Sequence, residues 1–99
     1  MVTATASDAT TLDLVFDQNI ALQSGSDATM IIVNVNGSYV SASSLGVVTT
    51  TSIPITFPAT TFTSGDTITV SISSLLIEDT DATANVYLGI SDAAVIDAV

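Results

Sequence analysis

The sequence predicts an all-β fold, a sandwich of about seven short strands. Three observations carry this. Gly65 through Ser73 alternates without a fault, with Ile68, Val70 and Ile72 on one side and Thr67, Thr69, Ser71 and Ser73 on the other. Successive side chains of a pleated strand leave on opposite faces, so this stretch has one dry face and one wet face. Asn36-Gly37 stands between two apolar runs, and both residues accept the positive φ of a type I′ hairpin turn. Turn-forming clusters recur about every 8–12 residues. A dry strand face is useless alone, and the other strands supply a sheet around it and a second layer against it.

In chain order, Val2, Ala4 and Ala6 alternate with Thr3, Thr5 and Ser7, which predicts a first strand with a shallow dry face. Asp8-Ala9-Thr10 is a turn. Leu12, Leu14 and Phe16 point inward on the next strand, with Asp13 and Asp17 outward. Like charges about 13 Å apart are tolerable on a solvated face. Ser24-Gly25-Ser26-Asp27 reads as a loop tip. The strand Thr29 to Val35 is apolar on both faces, so it is covered on both sides or touches a neighbouring subunit. The Asn-Gly turn then pairs Val35 with Ser38, Asn34 with Tyr39 and Val33 with Val40. Ser41 to Ser44 reads as a linker and Val47 to Thr51 as a short strand. Ile53, Ile55 and Phe57 point inward on a strand that must lie at an edge or kink, because Pro54 has no N–H to give. Ala59 to Ser64 crosses to the strand at Gly65. Glu78 to Asn85 reads as an acidic loop, and Val86, Leu88 and Ile90 as a last strand with Tyr87 outward. Ser91 to Val99 fits either a short helix capped by Ser91 or an extended contact tail.

The chain has 99 residues, ten carboxylates, no Lys, Arg or His, and a formal net charge of −10. The length suits one domain spanning 1–99. Side-chain salt bridges are impossible. The carboxylates must sit in water, cap turns or meet cations from outside. Phosphate contacts need Lys and Arg, so nucleic acid and anionic membrane surfaces are disfavoured partners. Favoured partners are neutral or basic protein surfaces and divalent cations. There is no Cys, hence no thiolate or disulfide chemistry. The longest apolar runs, such as Met30-Ile31-Ile32-Val33, are far too short to span a bilayer as a helix. No basic region followed by an apolar core marks an export signal.

These absences also bear on catalysis. A Ser or Thr nucleophile needs a base, and neither His nor Lys is present. Oxyanion or phosphate clamps of Arg or Lys are missing too. Paired carboxylates could run glycoside hydrolysis, but the chain has no Trp to make a sugar platform. The expectation is a non-enzyme with no catalytic residues and no small-molecule substrate. The one cofactor with a chemical rationale is calcium. Glu78, Asp79, Asp81 and Asn85 cluster in one loop, and hard cations take oxygen ligands. Their spacing fails the EF-hand pattern, and a solvated acidic loop with turn-stabilising side chains explains them as well. The Ser and Thr runs are wet strand faces, and Tyr39 and Tyr87 are sheet-surface residues.

At Leu12-Asp13-Leu14-Val15-Phe16, Gly65-Asp66-Thr67-Ile68-Thr69-Val70 and Asp79 through Asn85, the chain resembles bacterial Ig-like domains. The resemblance covers about residues 10 to 90 and rests on strand alternation and turns. It departs in two places. Ile68 stands where the family has Tyr, so the tyrosine corner is absent, and Ala84 replaces the Gly of the final turn. The resemblance implies an Ig-like β-sandwich. Domains of this kind occur in bacterial surface proteins and as decorations on tailed-phage virions. With its initiating Met, one domain and no export signal, the chain is expected to be a virion component. Its expected role is a capsid decoration (cement) protein or similar assembled subunit that binds shell proteins or further copies of itself. Val2, Val95, Ile96 and Val99 are the expected contact residues, because their apolar surface exceeds what one core needs. The alternative is a calcium-rigidified module of an extracellular adhesin or surface-layer protein.

Overall fold

The structure is a computed structural model that describes residues 2–80, 86, 87 and 89–99. It is all-β, and its main eight-stranded mixed sheet curls into a half-barrel. Among the described residues eleven strands run β1 (Val2–Asp8), β2 (Thr11–Phe16), β3 (Ile20–Leu22), β4 (Ile31–Val35), β5 (Ser38–Ser41), β6 (Ser44–Leu45), β7 (Ser52–Thr56), β8 (Ile68–Ile72), β9 (Ile77–Asp79), β10 (Val86–Tyr87) and β11 (Ile90–Asp97). The main sheet has the order β5-β4-β8-β11-β1-β2-β7-β6, and β10-β9-β3 form a second, small sheet. Among the described residues all strand pairings are antiparallel except β1 with β11, which run parallel through Ala4↔Val95, Thr5↔Ile96 and Ala6↔Asp97.

Period-two alternation decides which side chains enter the core. Ala4 and Ala6 from β1, Leu12, Leu14 and Phe16 from β2, and Ile53 and Ile55 from β7 are buried. Ile31 and Val33 from β4 and Ile68, Val70 and Ile72 from β8 meet them in the same cluster. The two ends of the sheet therefore face each other across one apolar interior. Residues 42–43 link them. Ala42 N–H donates to Ile31 C=O at 3.2 Å on the β4 side, and Ser43 N–H donates to Thr56 C=O at 2.8 Å on the β7 side. Phe57 and Phe62 close the interior beyond β7, with ring centroids 5.2 Å apart in an edge-to-face arrangement.

The predicted hairpin register holds pair for pair, with Val35↔Ser38, Asn34↔Tyr39 and Val33↔Val40. Asn36 has φ 53° and Gly37 φ 96°, as a type I′ turn needs. Pro54 sits where its missing N–H does least harm. Its carbonyl accepts from Gly46 N–H on the β6 side. A strand residue's N–H and C=O point the same way, so the missing donor faces only the two-residue β6.

Several expectations need correction. About seven strands become eleven, because the connections between main strands pair as β3, β6, β9 and β10. The short strand lies at Ser44–Leu45, starting on the last residue of the expected linker, and within Val47 to Thr51 only Thr49 makes a bridge, to Ser52. Gly46 N–H reaching Pro54 C=O sets that register. The strand expected at Thr29 starts at Ile31, after a 3-10 turn over Ala28–Met30 capped by the Asp27 carboxylate. Its second face is not covered within the chain, since Ile32 is 36% exposed. The C-terminal segment is neither a helix nor a tail. It is β11, held inside the sheet between β1 and β8. The expected acidic loop begins as strand, with Glu78 and Asp79 in β9. The outward placement of Tyr87 and the strand position of Leu88 lie outside the described residues.

Candidate functional site

Register across the middle of the sheet builds an outer surface from residues whose neighbours enter the core. Thr5 faces Ile96 on one side and Asp13 on the other, and Asp13 faces Pro54. In the next row Thr3 faces Val15, which faces Ser52. Leu12 and Leu14 flank Asp13 and are buried, so the opposite parity sends Asp13 and Val15 outward. On β11 the half-buried Val95 packs on the core, and Ile96 points away from it, 57% exposed. Val15 is 46% exposed. The result is a surface of Thr, Pro and aliphatic groups with one carboxylate, Asp13, in its midst. A depression of about 160 Å³ lined by Thr3, Val15, Phe16 and Asp17 opens at its margin, small beside the roughly 300–1,000 Å³ of small-molecule sites.

The four expected contact residues divide on this geometry. Ile96 belongs to the outer surface. Val99 lies just past β11 and is 41% exposed, and its N–H donates to the Asp97 carboxylate at 3.1 Å. Val2 and Val95 are half-buried and pack against the core, so part of their apolar surface is used in folding. Val15 was missed. It is the one apolar residue at an outward position of the Leu12–Phe16 strand, and that parity is the signal that could have found it.

Of the expected calcium ligands, Glu78 and Asp79 are consecutive on β9, which turns their carboxylates to opposite faces. Asp81 and Asn85 lie outside the described residues. Among the described residues no group of three or more carboxylates is placed to hold a metal ion.

Other carboxylates serve turns. Asp66 accepts from Thr63 N–H at 2.8 Å, Thr63 Oγ1 at 2.9 Å and Asn36 Nδ2 at 2.9 Å. Its own N–H donates to Asp97 at 2.9 Å. The Thr63 N–H, and after it the Asn36 amide, hold the Asp66 carboxyl below the usual range. Asp27, the cap of the 3-10 turn, bonds the Thr29 hydroxyl and N–H, and both lower its pKa. Asp8 is lowered chiefly by Thr10 N–H, 2.9 Å away.

Charge is also segregated along the chain. All ten carboxylates lie in 8–27 and 66–97, and residues 28–65 carry none. That neutral stretch forms β4, β5, β6 and β7, the two outer strands at each end of the main sheet. Comparison with protein-family models, with curated proteins and with solved structures finds no match.

Proposed function

We propose that this protein is a non-enzymatic structural module that binds other proteins, a capsid decoration protein of a phage virion or a similar assembled subunit. The observation that carries the reading is the outer surface of β11, β1, β2 and β7. It exposes Ile96 and Val15 on the middle strands of a sheet, around Asp13 and with no cation anywhere in the side chains. Aliphatic groups give contact area, and a carboxylate among them favours a partner surface that is apolar with basic groups at hand.

The fold reading belongs to the same proposal. Taken in chain order, β1-β2-β7-β6 follows the A-B-E-D order of an immunoglobulin-type sheet. The layer β5-β4-β8-β11 follows the opposing order, with one added edge strand. On this reading the half-barrel is an Ig-like sandwich whose layers stay joined through the parallel β1–β11 pair.

Co-sedimentation tests the function. The protein is expressed with the shell protein encoded beside its gene and spun through a density gradient. It is expected to travel with the shells, and Ile96→Asp is expected to stay at the top of the gradient while melting like the parent. A parent chain that never leaves the top would overturn the proposal.

A further inference from the structure

We infer that β5 is a self-pairing edge, through which two copies of this chain join their main sheets antiparallel across a two-fold axis at Val40. The inference goes beyond the proposed function and holds for whatever assembly the chain serves. It starts from the backbone. In a two-residue hairpin the pair flanking the turn, here Val35↔Ser38, exchanges hydrogen bonds, and the next pair does not. Ser38 and Val40 thus aim their N–H and C=O groups at β4. Ala42 keeps the same parity, since its N–H donates to Ile31 C=O. Tyr39 and Ser41 aim theirs the other way. Among the described residues β5 has β4 as its sole neighbour in the sheet, so these four groups face the open edge.

Edges are normally blunted by charge, proline or brevity. The opposite edge of the sheet is blunted, for β6 has two residues and lies beside Pro54. β5 is Ser-Tyr-Val-Ser, with neither charge nor proline, and Tyr39 is 73% exposed. The occupant follows from charge. Two chains of net charge −10 repel wherever their carboxylates meet. The 28–65 stretch is the longest run of the chain without a carboxylate, so copies that touch through it keep most of their like charges out of the contact. The pairing is self-complementary. Tyr39 lies opposite Ser41 of the second copy, and Ser41 opposite its Tyr39, which gives four backbone hydrogen bonds around a Val40–Val40 centre. Asp66, tied to Asn36 at the hairpin tip, falls at opposite ends of the joined strands in the two copies.

A four-residue edge makes a small interface, so the dimer is weak and depends on screening. Sedimentation velocity over a concentration series reads it. Dimerisation is expected to tighten at least about tenfold between roughly 0.01 M and 0.15 M salt, as the screening length falls from about 30 Å to about 8 Å. Tyr39→Pro removes an outward N–H that no bond to β4 uses, along with the exposed phenol ring, and Ser41→Asp places a charge on the edge. Both are expected to leave a folded monomer, with the melting curve as the check on folding. Val40→Cys, in a chain that has no other cysteine, is expected to oxidise to a covalent dimer, and Ser64→Cys is not. A parent that stays monomeric at all salt concentrations up to about 1 mM protein overturns the inference. So does a dimer that survives both edge substitutions.

Discussion

Asn36 Nδ2 donates to the Asp66 carboxylate at 2.9 Å, across thirty positions of sequence. The bond ties the tip of the β4–β5 hairpin to the turn that leads into β8. Asn36 Oδ1 completes the tie by accepting from Thr67 N–H at 2.9 Å. Asp66 thereby ties three segments, because its carboxylate also closes its own turn on Thr63 and its backbone N–H donates to the Asp97 carboxylate. In a chain without side-chain cations, hydrogen bonds from N–H and O–H groups do the work that salt bridges do elsewhere.

The Asp66 carboxyl is held low by these donors, chiefly Thr63 N–H and then Asn36. The folded state therefore releases its proton more readily than the unfolded state, whose value is about 3.9. The stabilisation is fully present above that value and is lost as pH falls through the lower folded value. Asp66→Asn should lower Tm by several degrees at neutral pH. The gap between parent and variant should close as pH falls from about 5 to about 2. Reading the gap, rather than the absolute Tm, cancels the relief of net repulsion that acidification brings to both. A gap independent of pH would assign the effect to the amide's shape and not to its charge.

The hairpin turn separates backbone cost from side-chain contact. Asn36 has φ 53°, a region that costs an ordinary L-residue about 1–2 kcal/mol and glycine nothing. Asn36→Gly loses the bonds to Asp66 and Thr67 and keeps the turn. Asn36→Ala loses both. Urea unfolding should place Asn36→Ala about 1 kcal/mol below Asn36→Gly, and equal stabilities would show that the turn relaxes.

Phe57 and Phe62 are both fully buried, their rings edge to face at 5.2 Å with planes 71° apart. Each is anchored by its own N–H, Phe57 to Thr10 C=O at 2.7 Å and Phe62 to Ala9 C=O at 3.0 Å. Phe62→Ala should cost about 3–5 kcal/mol in denaturant unfolding. The double alanine variant should cost less than the sum of the singles by about 0.5–1.5 kcal/mol, the worth of the ring pair. Strict additivity would mean that the rings merely fill space.

Gly46 is required for a different reason. A Cβ there would stand 2.4 Å from Pro54 O and 2.6 Å from Pro54 Cγ. Gly46→Ala must push β6 off β7, and a thermal or urea melt should register a loss of about 1–3 kcal/mol. Pro54→Ala should not rescue it, because the closest atom is a backbone carbonyl that alanine keeps. Rescue would show the ring to be the obstacle.

Strands whose alternation is strong could be read from the sequence alone. Leu12, Leu14 and Phe16, Ile53 and Ile55, and Ile68, Val70 and Ile72 all enter the core where period two puts them. The Asn36-Gly37 register was legible because turn type fixes pairing locally. Phe62 was not, since it enters the core from a connection with no periodicity, drawn in by Ala9 C=O and Phe57. The curl of the sheet was hidden too, because it depends on β1 meeting β11, nearly a whole chain length away. That pairing also moved Val95 from expected contact to packing residue and left Ile96 on the surface. Only the relative placement of strands can show which half of an alternating segment faces the core and which faces solvent.

Net charge leaves a last signature. The radius of gyration is 12.6 Å, and the screening length at 0.01 M salt is about 30 Å, so at low salt every carboxylate repels every other. At 0.15 M the length is about 8 Å and the repulsion becomes local. Tm should therefore rise with sodium chloride over this range and level off above about 0.5 M. Calcium and magnesium at equal ionic strength should then act alike, since Glu78 and Asp79 leave β9 on opposite faces and do not converge on one ion. A rise in Tm specific to about 1 mM calcium and reversed by chelation would instead place a site at Glu78 to Asn85, with affinity in the range of extracellular modules. That outcome would favour the adhesin reading over the virion one.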